Sequence, residues 1–282
     1  RLLSTDAWGT RRSMTVTFGI DRLLADPALH KPLEGRRVAL LAHPASVTAD
    51  LTHSIDALVA AGVNVTAVFG PQHGVRGDLQ DNMMESPDFT DPTYGMPVFS
   101  LYGEVRRPTG QAMHTFDVML VDLQDLGCRI YTYVTTLLYI LEAAAAHGKA
   151  VWVLDRPNPA GRPVEGTLLR AGWESFVGAG PMAMRHGLTL GEMGHWFLRH
   201  FGLDVGHGAL VVLLDGHLQQ VAAVGQATGQ LVEGLDDLRQ HGALAAEILR
   251  VLRIVPDVRV FQLAVDFGQT VMLLIVVKDT PE

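Results

Sequence analysis

Cysteine occurs once in 282 residues, at Cys128, which excludes an internal disulfide and a zinc site built on cysteines. Placed after an apolar run, it reads as a small packed side chain rather than a nucleophile. Charge is also sparse: 18% of residues are charged, and 22 Lys and Arg against 30 Asp and Glu leave a net charge of −8. No basic cluster offers the footprint of a phosphate-binding surface, so no nucleic-acid partner is expected. No run of 18 apolar residues is free of charge, which argues against a membrane span. The stretch from Arg1 to Ser13 carries three Arg without the apolar core of a signal peptide, so the default expectation is a cytoplasmic chain.

Several chemical motifs are missing too. No Gly-x-Gly-x-x-Gly follows the first apolar run, and no Gly-x-x-x-x-Gly-Lys-Ser/Thr occurs, so the usual nucleotide cradles are lacking. The Gly-x-Ser-x-Gly elbow of α/β-hydrolases is absent as well. A hydrolase working through water and carboxylates stays open.

With 48% hydrophobic residues the chain can bury a large core without metal or disulfide. Four short apolar runs end in polar bursts: Val38–Ala42 before His43-Pro-Ala-Ser46, Val63–Phe69 before Gly70-Pro-Gln72-His73-Gly74-Val-Arg76, Asp117–Asp122 before Leu-Gln124-Asp125-Leu-Gly127-Cys-Arg129, and Ala150–Leu154 before Asp155-Arg156-Pro-Asn158-Pro159. Such runs predict buried parallel strands, and ligands in open α/β sheets sit beyond the carboxyl ends of the strands. The spacing predicts a helix over 51–61 with Leu51, Ile55, Leu58 and Val59 on one face, a long loop over 75–97 and a short strand over 98–102. It further predicts a brief helix before Asp117, a buried helix over 131–147 stopped by Gly148, and a helix opened by a capping box at Thr189 and Glu192. The expected fold class is therefore α/β, a Rossmann-like, mostly parallel, doubly wound sheet over 18–205. Residues 1–17 read as an N-terminal extension without packed structure. Residues 206–282 read as a smaller α+β part, a divergent or truncated second domain, with helices over 234–252 and strands over 258–265 and 271–277.

The carboxylates near the expected crevice are Glu85, Asp122, Asp125, Asp155 and Glu165, of which Asp122 and Asp155 sit deepest and read as structural. Two carboxyl groups flanking a bond are the usual apparatus of glycoside cleavage. His43, His73 and His186 lack a close pair such as His-x-x-x-His, so neither metal nor cofactor is expected. Arg76, Arg129, Arg156 and Arg185 all adjoin the polar bursts, and guanidinium groups gathered there favour an anionic ligand.

The motifs Phe69-Gly-Pro-Gln-His-Gly-Val-Arg-Gly77, Met84-Glu-Ser86, Gly95–Gly103, Asp122–Tyr133, Val153–Pro159, Val164-Glu-Gly166, Ser175–Gly178 and Arg185–Glu192 occur in one order over about residues 18–203. In that order they resemble the NamZ-type exo-β-N-acetylmuramidases, once catalogued as a domain of unknown function. The resemblance implies release of terminal β-linked N-acetylmuramic acid from the non-reducing end of peptidoglycan fragments, by a Rossmann-like domain with a smaller domain closing the cleft. It further implies Glu85 and Glu165 as catalytic carboxyls, with His43, Gln72, His73, Arg76, Asp125, Arg129, Tyr133, Arg156, Asn158 and His186 shaping the sugar pocket. The arginines would then meet the lactyl carboxylate. In two respects the chain departs from the family pattern: Gln72 stands where many relatives carry Glu, and nothing after Gly206 matches their later motifs. Those departures keep open a catalytically inactive carbohydrate-binding relative, and a metal-assisted hydrolase of another small anion is the third alternative. The sequence leaves the oligomeric state open.

Overall fold

The computed structural model describes residues 16–76, 85–103 and 105–204, together with strand backbone at 2–5, 11–14, 210–213, 258–260 and 276–278. The chain divides into two compact units, Arg1–Gly225 and Gln226–Glu282. In the first, β1 (Leu2–Thr5) and β2 (Arg11–Met14) form an antiparallel hairpin ahead of α1 (Gly19–Ala25), α2 (Pro27–His30) and a 3₁₀ turn over Lys31–Leu33. Then follow β3 (Val38–Ala42), α3 (Ser54–Ala60), β4 (Val65–Gly70), β5 (Phe89–Thr90), β6 (Pro97–Ser100) and α4 (Gly110–Met113). The order continues with β7 (Val118–Asp122), α5 (Tyr133–His147), β8 (Ala150–Leu154), α6 (Leu190–His200) and β9 (Leu210–Leu213).

Seven strands form one sheet in the order β5-β6-β4-β3-β7-β8-β9, parallel except for the β5–β6 pair. The side-chain period of two divides the central strands between two cores. Ala39, Leu41, Met119, Val121, Val151 and Val153 pack on one face with Leu137, Ile140 and Leu141 of α5 and Met193 and Phe197 of α6. Val38, Leu40, Val118, Leu120, Trp152 and Leu154 pack on the other with Ile20 and Leu23 of α1 and Ile55 and Leu58 of α3. Helices on both faces explain why these strands are apolar throughout instead of alternating. The Rossmann-like doubly wound sheet expected from the sequence is the one observed.

Three local expectations need correction. Leu51 does not join a helix face: it is 80% exposed with φ 68°, and α3 begins only at Ser54, where the His53 side chain accepts from the Ile55 N–H. The long loop over 75–97 contains β5, paired antiparallel to β6 and closed by a turn in which the Asp91 carboxylate accepts from Thr93 and Tyr94 N–H. The sheet also runs one strand past residue 205, since Leu210–Leu213 pairs in parallel with β8.

Other elements fall close to where spacing puts them. Gly148 ends α5 at φ 62°, a left-handed cap, and Thr189 and Glu192 form the expected reciprocal capping box of α6. In the second unit, β10 (Val258–Val260) and β11 (Val276–Lys278) pair antiparallel, while the helices expected over 234–252 lie outside the described residues.

Candidate functional site

The chain winds outward from β3 through β4 to β6, then returns to the other side of β3 with β7 and continues to β8 and β9. The order therefore reverses between β3 and β7, and a crevice opens at the carboxyl ends of those neighbouring strands. The β3 end presents His43 and Ser46, the β7 end Asp122, Gln124 and Asp125, and the flanking β4 and β8 ends present Gln72, His73, Asp155 and Arg156.

At the floor, Arg156 and Asp122 form a buried fork, Nε to Oδ1 at 2.6 Å and Nη2 to Oδ2 at 3.0 Å. The same guanidinium donates to the Val47 carbonyl at 2.7 Å and lies over the Phe18 ring, 4.8 Å from its centroid. Asp122 Oδ2 also accepts from Ser54 Oγ at 2.5 Å, and Ser46 Oγ donates to the Asp122 carbonyl. Asp122 is thus tied into the floor, and the Arg156 nitrogens Nε and Nη2 are engaged by protein there.

Asp155 performs a related task at the β8 end. Its carboxylate accepts from Thr189 Oγ1 at 2.5 Å and from the Gly191 and Arg156 N–H groups at 3.0 Å each, fastening α6 to the sheet. Burial raises its pKa to about 6, against the opposing pull of those three hydrogen bonds.

His43 is buried, and both ring nitrogens are occupied: Nε2 accepts from the Gln124 N–H at 3.0 Å and Nδ1 lies 3.2 Å from Tyr133 Oη. Burial, helped by the nearby Arg156 charge, lowers its pKa to about 3, so the ring is neutral at ordinary pH. His43 and Tyr133 consequently brace the site from beneath, where direct substrate contact was expected. His53, which the sequence reading passed over, ties two rim loops: its Nε2 lies 3.2 Å from the carbonyls of both His43 and Val75. Its position just before an apolar helical run was the available signal.

The loop after β7 is held by a second set. Asp125 Oδ2 accepts from the Gly127 N–H at 2.7 Å and lies 3.2 Å from His186 Nε2, without the alignment of a hydrogen bond. Asn158 donates to the Leu188 carbonyl at 2.9 Å and accepts from the Ala160 N–H at 2.8 Å. Gly127 has φ 78°, and a Cβ there would lie 2.3 Å from Asn158 Oδ1, so only glycine lets these loops meet. Behind His186 is a hollow of about 130 Å³ lined by Val164, Met182, Leu188, Met193 and Trp196, apolar enough to seat a methyl group.

The remaining arginines are each held by protein as well. Arg76 pairs with Asp56 of α3 at 3.0 Å, Arg129 donates to the carbonyls of Thr167 and Met182 at 2.8 and 2.7 Å, and Arg185 pairs with Glu165 at 2.7 Å. Glu165 is 63% exposed, while Glu85 is 58% exposed and lies 3.5 Å from Arg106. Arg106 stacks on Tyr102 at 4.0 Å, and Phe176 approaches both Tyr102 and Tyr139 at about 6 Å. Phe176 thus lies against the Tyr102–Arg106 pair that sits beside Glu85. Gln72, half-buried, accepts from Thr132 Oγ1 at 3.3 Å, and the neighbouring His73 is exposed in a left-handed conformation at φ 74°. Such backbone strain in a non-glycine residue concentrates at functional rims. Among the described residues, no three His, Cys, Asp or Glu side chains gather as a metal-binding set. No helix among them is long and apolar enough to cross a membrane.

A doubly wound sheet with polar strand ends gathered at its switch point defines a Rossmann-like α/β domain. The chain belongs to the family described as exo-β-N-acetylmuramidase NamZ, N-terminal, which matches residues 38–224. It is 42% identical over 197 residues to the peptidoglycan β-N-acetylmuramidase NamZ of Bacillus subtilis (strain 168), covering 69% of this chain and 47% of that protein. Crystal structures of two DUF1343 family proteins from Bacteroides fragilis are similar to it. One has a TM-score of 0.63 at 38% identity and covers 72% of this chain and 50% of its own. The other has a TM-score of 0.60 at 30% identity, covering 71% and 52%. The chain thus spans about half the length of the relatives it matches.

Proposed function

We propose that this chain is a glycoside hydrolase acting on terminal β-linked N-acetylmuramic acid at the non-reducing end of peptidoglycan fragments. The observation that carries the reading is its 42% identity over 197 residues to the Bacillus subtilis peptidoglycan β-N-acetylmuramidase, together with the family match over residues 38–224. Glu85 and Glu165 are the proposed catalytic carboxyls; both are exposed, and each lies beside an arginine, Arg106 and Arg185. Gln72, His73, Asp125 and His186 are the proposed sugar-facing groups, with His43, Tyr133, Arg156 and Asn158 fixing the loops that hold them. The hollow behind His186 supports the assignment, because the acetamide and lactyl groups of this sugar each end in a methyl.

The test is release of free N-acetylmuramic acid, or of a chromophore from a β-muramoyl glycoside, with Glu85→Gln and Glu165→Gln each lowering turnover at least about 100-fold. Folded protein that gives no turnover contradicts the hydrolase. One observation favours a second reading, a sugar-binding protein without hydrolysis: position 72 holds an amide, and the Thr132 hydroxyl occupies its oxygen. Sugar binding without turnover, unchanged in both glutamate variants, would decide for that alternative.

A further inference from the structure

Two guanidinium groups are buried among the described residues, Arg156 at 4% and Arg129 at 8% exposed. Arg156 has Asp122 as its counter-charge, and the outer arginines Arg76 and Arg185 have Asp56 and Glu165. Arg129 pairs with no carboxylate among the described residues. Its Nη1 donates to the Thr167 and Met182 carbonyls at 2.8 and 2.7 Å, while its Nε, fully covered, meets no partner. A neutral amide could hold two carbonyls, whereas a buried positive charge is costly until a negative one meets it. The unmet Nε belongs to the edge with which Arg156 grips Asp122, the geometry that takes a carboxylate through two parallel bonds. Its place is fixed by backbone bonds: the Arg129 N–H donates to the Met184 carbonyl at 2.8 Å, and the Gly127 carbonyl accepts from the His186 N–H at 3.4 Å. The loop after β7 therefore lies along residues 184–186. Met182, whose carbonyl Nη1 reaches, lines the hollow together with His186, so the guanidinium stands beside that hollow.

We propose that Arg129 is the specificity-determining residue of the site, its uncompensated guanidinium receiving a carboxylate of the ligand. The inference rests on the muramic-acid reading, in which that group is the lactyl carboxylate, and it singles out one arginine where sequence pointed to four. In the lactyl group a methyl and a carboxylate leave the same carbon. An apolar hollow and a cation side by side read both at once: Val164, Leu188, Met193 and Trp196 take the methyl and Arg129 takes the charge. A sugar with a bare hydroxyl in place of the lactyl ether leaves the hollow empty and the buried charge unmet.

The experiment is equilibrium binding of N-acetylmuramic acid, its uncharged methyl ester and N-acetylglucosamine to the full chain and to Arg129→Gln and Arg129→Lys. The unmodified chain prefers the acid to each of the other two by roughly 10- to 100-fold, the value of a hydrogen bond to a charged group. Arg129→Gln, whose amide still reaches a carbonyl, brings both ratios below about 3-fold. Arg129→Lys keeps the charge without the fork and falls between. A residue that only clips the two carbonyls would weaken all three ligands alike and leave the ratios standing. An ester bound as tightly as the acid, or a preference as large in Arg129→Gln as in the unmodified chain, overturns the contact; the second result leaves the muramic-acid reading intact. Should Arg129→Gln fail to fold, Arg129→Lys decides, and a preference there equal to that of the unmodified chain overturns the fork. Absence of any binding of N-acetylmuramic acid by the unmodified chain overturns the sugar reading, and this proposal with it.

Discussion

Replace Arg156 by Met and the Asp122 carboxylate, which has no accessible surface, loses both bonds of its fork. Ser54 Oγ still donates to it, but one hydroxyl does not balance a buried charge. The Val47 carbonyl loses its donor as well. Removing one partner of a buried pair costs about 3–5 kcal/mol, mostly from the charge left behind. For a cooperative unit of this size that amounts to a fall in Tm of about 6–20 °C. The exposed Glu165–Arg185 pair supplies the contrast, since Glu165→Gln changes stability by less than about 1 kcal/mol. Thermal unfolding of both variants by circular dichroism at pH 7 measures the two numbers. Converting Asp122 to Asn in the Arg156→Met background removes the stranded charge and recovers part of the loss. A fall in the Arg156→Met variant no larger than that of Glu165→Gln would refute the reasoning, as would a double variant less stable than Arg156→Met alone.

Two further predictions concern the loops around the crevice. Asp155 has a folded pKa of about 6, above its ordinary value of 3.8, so its stabilising contribution is complete below about 3.8 and is lost as pH rises through 6. Asp155→Asn therefore flattens the part of the stability curve between pH 4 and 6, measured by melts across that range; an unchanged slope counts against the assignment. Gly127→Ala combines φ 78° with a Cβ 2.3 Å from Asn158 Oδ1 and lowers stability by about 2–4 kcal/mol, whereas alanine at Gly172, with φ 83° but open space, costs only about 1 kcal/mol. Equal losses at the two glycines, read from denaturant midpoints, would remove the steric argument.

Much of the sheet was legible because burial on both faces writes itself as short, unbroken apolar runs. Val38–Ala42, Val118–Asp122 and Ala150–Leu154 needed little else, and the Thr189–Glu192 pair announced α6 through capping chemistry. Short elements were harder to find. Strand β5 has two residues, β9 only four, and α1 carries only Ile20 and Leu23 as its buried large side chains. Leu51 misled because its spacing fits a helix, while the turn chemistry of Thr48, Asp50 and Thr52 delays the helix start. At the site, residue type and strand-end position located the rim but not the partners. Nothing local in Arg156 announces that it closes on Asp122, 34 positions earlier, instead of on a ligand.

The bonds from Asp155 to Thr189 and Gly191 bring two distant points of the chain to the same place. Everything between them leaves and re-enters the domain through one clasp, so the excursion that carries Glu165, Phe176 and Arg185 is tethered at both ends and cannot slide along the sheet without opening that clasp.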